Sequence, residues 1–207
     1  MCHQETKSNI DMAELRDLFI SRARERLLQV FFSSPQKIFY VRELVRLTGE
    51  QINAVRRELK RMEIKKMVRK EERGNRLYYS FRKDYLFYDD LLALVGKTTG
   101  LGGEIVRNQN KIGNIRFAML SGRFLKNLPR KKNEVDLLIV GQVVLPQIAS
   151  LVRAEEAKRK REINYTVMTE KELDFRKHRR DSFILGVLSS SRVMLIGDEE
   201  KMIEGIS

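Results

Sequence analysis

The chain is predicted to be an α+β protein of two domains, and three observations predict it. Over residues 11–95 apolar side chains recur at helical spacing, interrupted by two short strand-like runs about a glycine. Over 104–207 the pattern changes to strands alternating with helices, which predicts a small α/β domain with a mixed sheet. Between the two, Gly96-Lys97-Thr98-Thr99-Gly100-Leu101-Gly102-Gly103 holds four glycines and reads as a flexible joint. That stretch lacks the Gly-x-x-x-x-Gly-Lys-Ser/Thr spacing of a phosphate-binding loop.

In the first region Asp11–Phe32 places Leu15, Leu18, Phe19, Ala23, Leu27, Val30 and Phe31 on one helical face. Ser33-Ser34-Pro35 ends that helix, because proline disfavours helical backbone in the residue before it. Lys37–Tyr40 reads as a short strand and Val41–Leu47 as a second helix with Leu44 and Leu47 inward. Thr48 and Gln51 have the spacing of a capping box opening a third helix, with Ile52, Val55, Leu59 and Met62 on its inner side. Glu50, Asn53, Ala54, Arg57, Lys60 and Arg61 fall opposite, with Glu50 and Glu58 diluting the positive face. Ile64 and Met67 are expected in the core beside Met62. Val68–Glu72 and Arg76–Phe81 flank Arg73-Gly74-Asn75, whose glycine and asparagine permit the positive φ of a tight hairpin. Asp84–Val95, with Leu86, Phe87, Leu91, Leu92 and Leu94, closes the region as a helix that packs or dimerises.

In the second region Ile115–Leu120 and Val135–Val140 are continuous apolar runs, as strands buried on both faces require. Pro146 opens a helix through Glu155 that runs on into the basic Lys158–Arg161. Ile163–Met168 is a third strand, and Thr169 with Glu172 forms a capping-box spacing for a helix to about Lys177. Ser182–Leu188 reads as a short helix and Val193–Ile196 as the last strand.

Charge narrows the partner. Lys and Arg outnumber Asp and Glu by 41 to 28, a net +13, and the stretch Val41–Lys83 alone carries fourteen cations against six acids. A polyanion is therefore expected, nucleic acid before an anionic membrane surface. Cys2 is the only cysteine and excludes an internal disulfide; His3 and His178, far apart, give no zinc ligand set. Met1–Met12 lacks the apolar core of a signal peptide, and no apolar run reaches the roughly 20 residues of a membrane span. A cytoplasmic protein without membrane contact is the expectation.

The residues VRELVRLTGEQINAVRRELKRMEIKKMVRKEERGNRLYYSF, within Lys37–Arg82, resemble the winged helix-turn-helix family, in particular the arsenical-resistance-type and related small bacterial and archaeal repressors. The resemblance implies a recognition helix at Thr48–Met62, a wing at Val68–Phe81, double-stranded DNA as partner and a homodimer matched to a two-fold operator. By chemistry Arg57, Arg61 and Lys60 suit guanine edges or phosphates, and Asn53 an adenine edge. Arg73, Asn75 and Arg76 at the wing tip suit phosphates or the minor groove.

The stretches LSGRF, EVDLLIVG, REINYTVMTEKEL and VMLIGD, spread over Arg107–Gly197, resemble the minimal members of the nucleotidyltransferase superfamily. On a strand, Glu134 and Asp136 share one face. The resemblance implies that they hold Mg²⁺, with Glu162 as a third acid and Ser121-Gly122-Arg123 cradling a nucleotide. Arg123 stands where the family has a small residue, Glu134 replaces an Asp, and position 164 is Asn rather than an acid. The expected function is a DNA-binding transcriptional regulator whose second domain is degenerate or sensing. The alternatives are an active metal-dependent nucleotidyltransferase modifying a protein, RNA or small molecule, and a scaffold for protein contacts alone. Lys158–Arg161 is either a basic helix end favoured by the helix dipole or a further contact to DNA or nucleotide.

Overall fold

A computed structural model describes residues 18–130 and 134–205. Cys2, His3, Lys131, Lys132 and the expected helical turns over 11–17 lie outside the described residues. In chain order the elements are α1 Arg22–Ser33, β1 Phe39–Tyr40, α2 Val41–Thr48, α3 Ile52–Ile64, β2 Val68–Arg73, β3 Arg76–Phe81, α4 Tyr88–Thr98, α5 Gly100–Arg107 and α6 Gln109–Ile112. There follow β4 Gly113–Ser121, α7 Gly122–Leu125, β5 Leu137–Val143, α8 Leu145–Arg159, β6 Tyr165–Met168, α9 Glu170–His178, α10 Ser182–Ser189, β7 Arg192–Ile196 and α11 Glu199–Ile203. Helix and strand are mixed along the chain, in agreement with the α+β expectation.

The helices of the first region differ from their predicted bounds for local reasons. Ser21 has extended backbone and its hydroxyl accepts from the Arg24 amide, so α1 starts at Arg22 and Leu18 and Ile20 stay exposed before it. Thr48 does not cap α3. It ends α2, donating its hydroxyl to the Leu44 carbonyl at 2.7 Å, and Gly49 with φ 68° turns the chain. Gln51 takes the N-cap position of α3 without a side-chain bond. Leu47 lies off the Val41–Leu44–Thr48 stripe and is exposed rather than inward. Ile64 is 68% exposed because nine residues at 100° each put it opposite Val55. Leu86 and Phe87 are exposed and precede α4, whose buried face is Tyr88, Leu92 and Val95.

The hairpin forms with Arg73 paired to Arg76 and Gly74 and Asn75 between them. Gly74 alone has a positive φ, 58°, which places glycine first in a two-residue turn. β1 adds to the free side of β3 through Phe39–Tyr79 and Tyr40–Tyr78 pairs. A second sheet has the order β6-β5-β4-β7, with β5 and β6 parallel and the other pairs antiparallel, which is the mixed sheet expected. Period-two alternation gives this sheet two apolar faces. Ala118, Leu120, Leu137 and Ile139 join a core that includes Ile105 of α5 and Val152 of α8; Met119, Leu138 and Val140 join Leu173 of α9 and Ile184 of α10. As predicted, Thr169 caps α9, its hydroxyl accepting from the Glu172 amide.

The glycine-rich stretch is not a flexible joint. α4 runs through Gly96 and Lys97 to Thr98, and α5 restarts at Gly100 and returns across it. A Cβ on Gly102 would stand 2.0 Å from the Gly96 carbonyl oxygen, so the two helices approach to a distance only glycine allows. One continuous apolar cluster consequently runs from Phe31, Phe39 and Leu59 through Val95 and Leu101 to Leu120 and Phe124. Gly102→Ala is expected to lower stability to urea by about 1–3 kcal/mol through that clash. Gly186→Ala, where a methyl meets nothing within 4 Å in α10, should raise it by about 0.5–1 kcal/mol. Equal midpoints for the two variants would remove the close-approach account of the corner.

Candidate functional site

The outward face of α3 carries Asn53, Arg57, Lys60 and Arg61, all exposed, together with Arg56. The face is set by its opposite: Val55, Leu59 and Met62 are fully buried, and Glu58, three residues from Val55, is drawn in with them. Glu58 is therefore not a diluting surface acid. It is 2% exposed and receives the Ser21 hydroxyl and the guanidinium groups of Arg24 and Arg61. Glu50 is likewise answered, by Arg22 at 3.2 Å. Two cations of α1 thus neutralise Glu50 and Glu58, while Glu63, near the end of α3, lines the cleft beside the hairpin. Asn53, Arg57 and Lys60 take part in no hydrogen bond or ion pair among the described residues.

At the hairpin tip Gly74 and Asn75 are exposed, and the flanking arginines lie over aromatic rings. The Arg73 guanidinium sits 5.3 Å from the Tyr78 ring centre and that of Arg76 5.6 Å from Tyr40, geometry that limits both side chains to few rotamers. Arg73 is also paired with Glu71 at 2.7 Å. Between α3 and the hairpin lies a cleft of about 700 Å³ whose polar lining includes Arg42, Arg56, Lys60, Lys70, Asn75 and Arg76, with Glu63 as its one acid among the described residues. Of the predicted residues it brings together Lys60, Asn75 and Arg76. Asn53, Arg57 and Arg61 stand on α3 outside this lining, and Arg73 lies beyond it on the hairpin. Arg42, Arg56 and Lys70 were not predicted; Arg56, four residues before Lys60, shares its side of the helix and was findable by that spacing.

Arg82, at the foot of the hairpin, is neutralised. Its Nε and Nη2 donate to the two Asp84 oxygens at 3.0 and 2.5 Å, a fork geometry that holds the Asp84 carboxyl at about 2 against an ordinary 3.8. The pair stabilises the folded chain above pH 3.8, and its contribution is lost as pH falls through about 2. An NMR titration of the Asp84 carboxyl should find its midpoint near 2 and a return to ordinary values in Arg82→Gln; an ordinary midpoint in the parent chain would refute the pairing.

The second region brings its predicted residues close, but in a different chemical role. Neither Glu134 nor Asp136 lies in β5, which starts at Leu137. Asp136 is 1% exposed; its Oδ2 accepts from the Asn164 amide at 3.0 Å and from Arg130 at 3.2 Å, and its Oδ1 from Arg161 at 3.4 Å. Glu134 is paired with Arg123 at 3.3 Å, and Arg123 also donates twice to the Pro129 carbonyl. Glu162 is exposed, beside Arg130 and Arg161. Arg123 faces Glu134, Arg130 and Arg161 face Asp136, and both Asp136 oxygens already accept. The donor set does not fit Mg²⁺. Among the described residues no group of three or more His, Cys, Asp or Glu can hold a metal ion.

The glycine turn is also committed internally. The Ser121 hydroxyl accepts from the Phe124 amide, and the Gly122 amide donates to the Ser191 carbonyl at 2.8 Å. A Cβ on Gly122 would lie 2.4 Å from the Ser191 hydroxyl, so the glycine admits the 191 backbone rather than a phosphate. Ser121, Arg123 and Glu134 do line a cavity of about 300 Å³ with Ser189, Ser190 and Ser191.

Compared with models of protein families, with curated proteins and with solved structures, the chain matches none. Among the described residues no helix is long and apolar enough to cross a membrane. Asp136→Asn should destabilise the fold by about 2–3 kcal/mol, because it leaves two half-buried guanidiniums and the Asn164 amide without their anion. Addition of Mg²⁺ should leave the melting temperature of the parent chain unchanged. A melting temperature that rises with Mg²⁺ and loses that rise in Asp136→Asn would restore the metal reading.

Proposed function

We propose that this chain is a DNA-binding transcriptional regulator in which α2 and α3 act as a helix-turn-helix and the β2–β3 hairpin as its wing. One observation carries the reading: α3 turns Asn53, Arg57 and Lys60 outward without side-chain partners, while Glu50 before it and Glu58 within it are neutralised from behind and Glu63 alone of its acids faces the cleft. A helix of 13 residues with such a face fits the major groove, where Arg57 would pair with a guanine edge and Asn53 with an adenine edge. Arg73 and Arg76, held over tyrosines two residues from the tip glycine or closer, would meet the adjacent phosphates or minor groove.

A two-fold operator and a homodimer follow from the same reading, since one copy presents a single such helix. The second region then serves as a non-catalytic module of the regulator. Its carboxylates are engaged with arginines, which favours a structural or sensing role over nucleotidyl transfer.

Gel-shift titration with genomic fragments at about 50 and 200 mM salt tests the proposal. The parent chain should form sequence-selective complexes that weaken steeply at the higher salt. Asn53→Ala/Arg57→Ala should abolish selectivity, costing about 1–3 kcal/mol for each bidentate base contact, and leave a weaker, salt-sensitive association. Arg73→Ala/Arg76→Ala should weaken binding to all fragments alike. Equal retardation by the parent chain and the Asn53/Arg57 variant, or no retardation at low salt, would overturn the reading.

A further inference from the structure

Two basic runs far apart in sequence meet in space around Asp136. One is the Lys126–Arg130 loop after α7 and the other is Lys158–Arg161 at the end of α8. Arg130 and Arg161 both donate to the Asp136 carboxylate, and Arg161 also donates to the Leu128 carbonyl at 3.0 Å. A third cation, Arg159, is bonded to Glu155 at 2.7 Å and lies 4.2 Å from the Phe124 ring centre. These three are satisfied by the protein. Lys158 and Lys160 are not: both are exposed and take part in no hydrogen bond or ion pair among the described residues. Lys160 ends α8 with φ 52°, which turns the chain there so that the loop to Arg161 folds back onto Asp136.

The patch adjoins the helix-turn-helix. Lys158, Arg159 and Asn127 line a cleft of about 620 Å³ whose other wall includes Lys37 and Leu47. Leu47 is two residues before Gly49, the turn between α2 and α3. Asn127 also lines the neighbouring cleft with Arg130 and Arg161, so the two clefts adjoin. The acids around these clefts are Glu43, Asp89, Glu155 and Asp136, each paired with a cation, Glu104, which is paired with Arg107 and also attracts Lys158, and Glu162, which is exposed. Glu162 offsets part of the charge. Lys158 and Lys160 remain as compact cations on flexible stems at a helix end, chemistry suited to phosphate oxygens and indifferent to base sequence.

We infer that the Lys158–Lys160 patch of the second region is a phosphate-binding surface that extends the DNA footprint beyond the segment held by α3 and the hairpin. The inference rests on the DNA-binding reading. It gives the second region a role in affinity, with Asp136 as the staple that holds the two runs together rather than as a metal ligand.

The test measures the slope of log affinity against log salt for two duplexes sharing one selected site. One duplex spans little more than one helical turn, roughly 12 base pairs; the other extends it to roughly 30. Each phosphate contact contributes about 0.9 to the slope, so Lys158→Gln/Lys160→Gln should lower it by about 2 for each bound copy on the long duplex and leave the short one unchanged. Lys171→Gln/Lys201→Gln removes the same charge from exposed positions on α9 and α11 and should match the parent chain on both. Equal slopes for the parent and the Lys158/Lys160 variant on the long duplex overturn this inference alone, as does an equal loss in the control. Absence of salt-dependent binding by the parent chain to either duplex overturns the DNA reading with it.

Discussion

Burial of one stripe of α3 is the constraint on which the presented surface depends. Val55, Leu59 and Met62 are each fully buried, worth about 1.5–3 kcal/mol apiece, and they fix the helix in rotation. The same rotation forces Glu58 inward, and a buried carboxylate left alone costs several kcal/mol. Arg24 of α1, the Ser21 hydroxyl and Arg61 answer it. α1 is therefore bound to α3 by charge as well as by packing, and its first turn is part of the machinery that keeps the opposite face of α3 cationic. Turning α3 by one residue would bury Arg56 and Lys60 in the places of Val55 and Leu59 and turn Val55 outward, losing both terms.

The parts of this fold legible in the sequence are those governed by contacts within a few residues. Gly74 between two β-prone runs specifies the hairpin, and Thr169 three residues before Glu172 specifies the start of α9, because each signal is satisfied locally. Thr48 shows how two local signals compete. Its hydroxyl can cap α3 or bond back to Leu44, and Gly49 decides the matter by offering the left-handed turn that ends α2. The glycines at 96–103 misled for a longer-range reason. A glycine is equally good for a loop and for a close helix crossing, and only the tertiary position of Gly96 against Gly102 distinguishes the two.

The acidic pair at 134 and 136 takes arginine partners for a similarly long-range reason. Two carboxylates at that spacing are compatible with a divalent cation or with guanidinium groups, and the choice is made by residues elsewhere in the chain. Arg161 reaches Asp136 across 25 positions, and the Asn164 amide across 28. In a chain with 41 Lys and Arg a buried acid readily acquires arginine partners. Excess positive charge thus changes the meaning of acidic motifs: the carboxylate becomes a fixed counterion within the protein and holds loops together.

That redistribution also separates two kinds of cation on the surface. Arg130, Arg159 and Arg161 are bonded to acids, which restrains them before any partner arrives, and Arg73 and Arg76 are biased more weakly by the tyrosines beneath them. Groups held in this way lose little side-chain freedom on binding and can discriminate shape. Lys60, Lys158 and Lys160 are free, and free lysines add attraction that salt screens and that no base sequence directs. In the proposed complex Asn53 and Arg57 of α3 would select the site and the wing arginines would hold the backbone beside it. The unpaired lysines would set how long the chain stays near it, and ionic strength would tune the second property far more than the first.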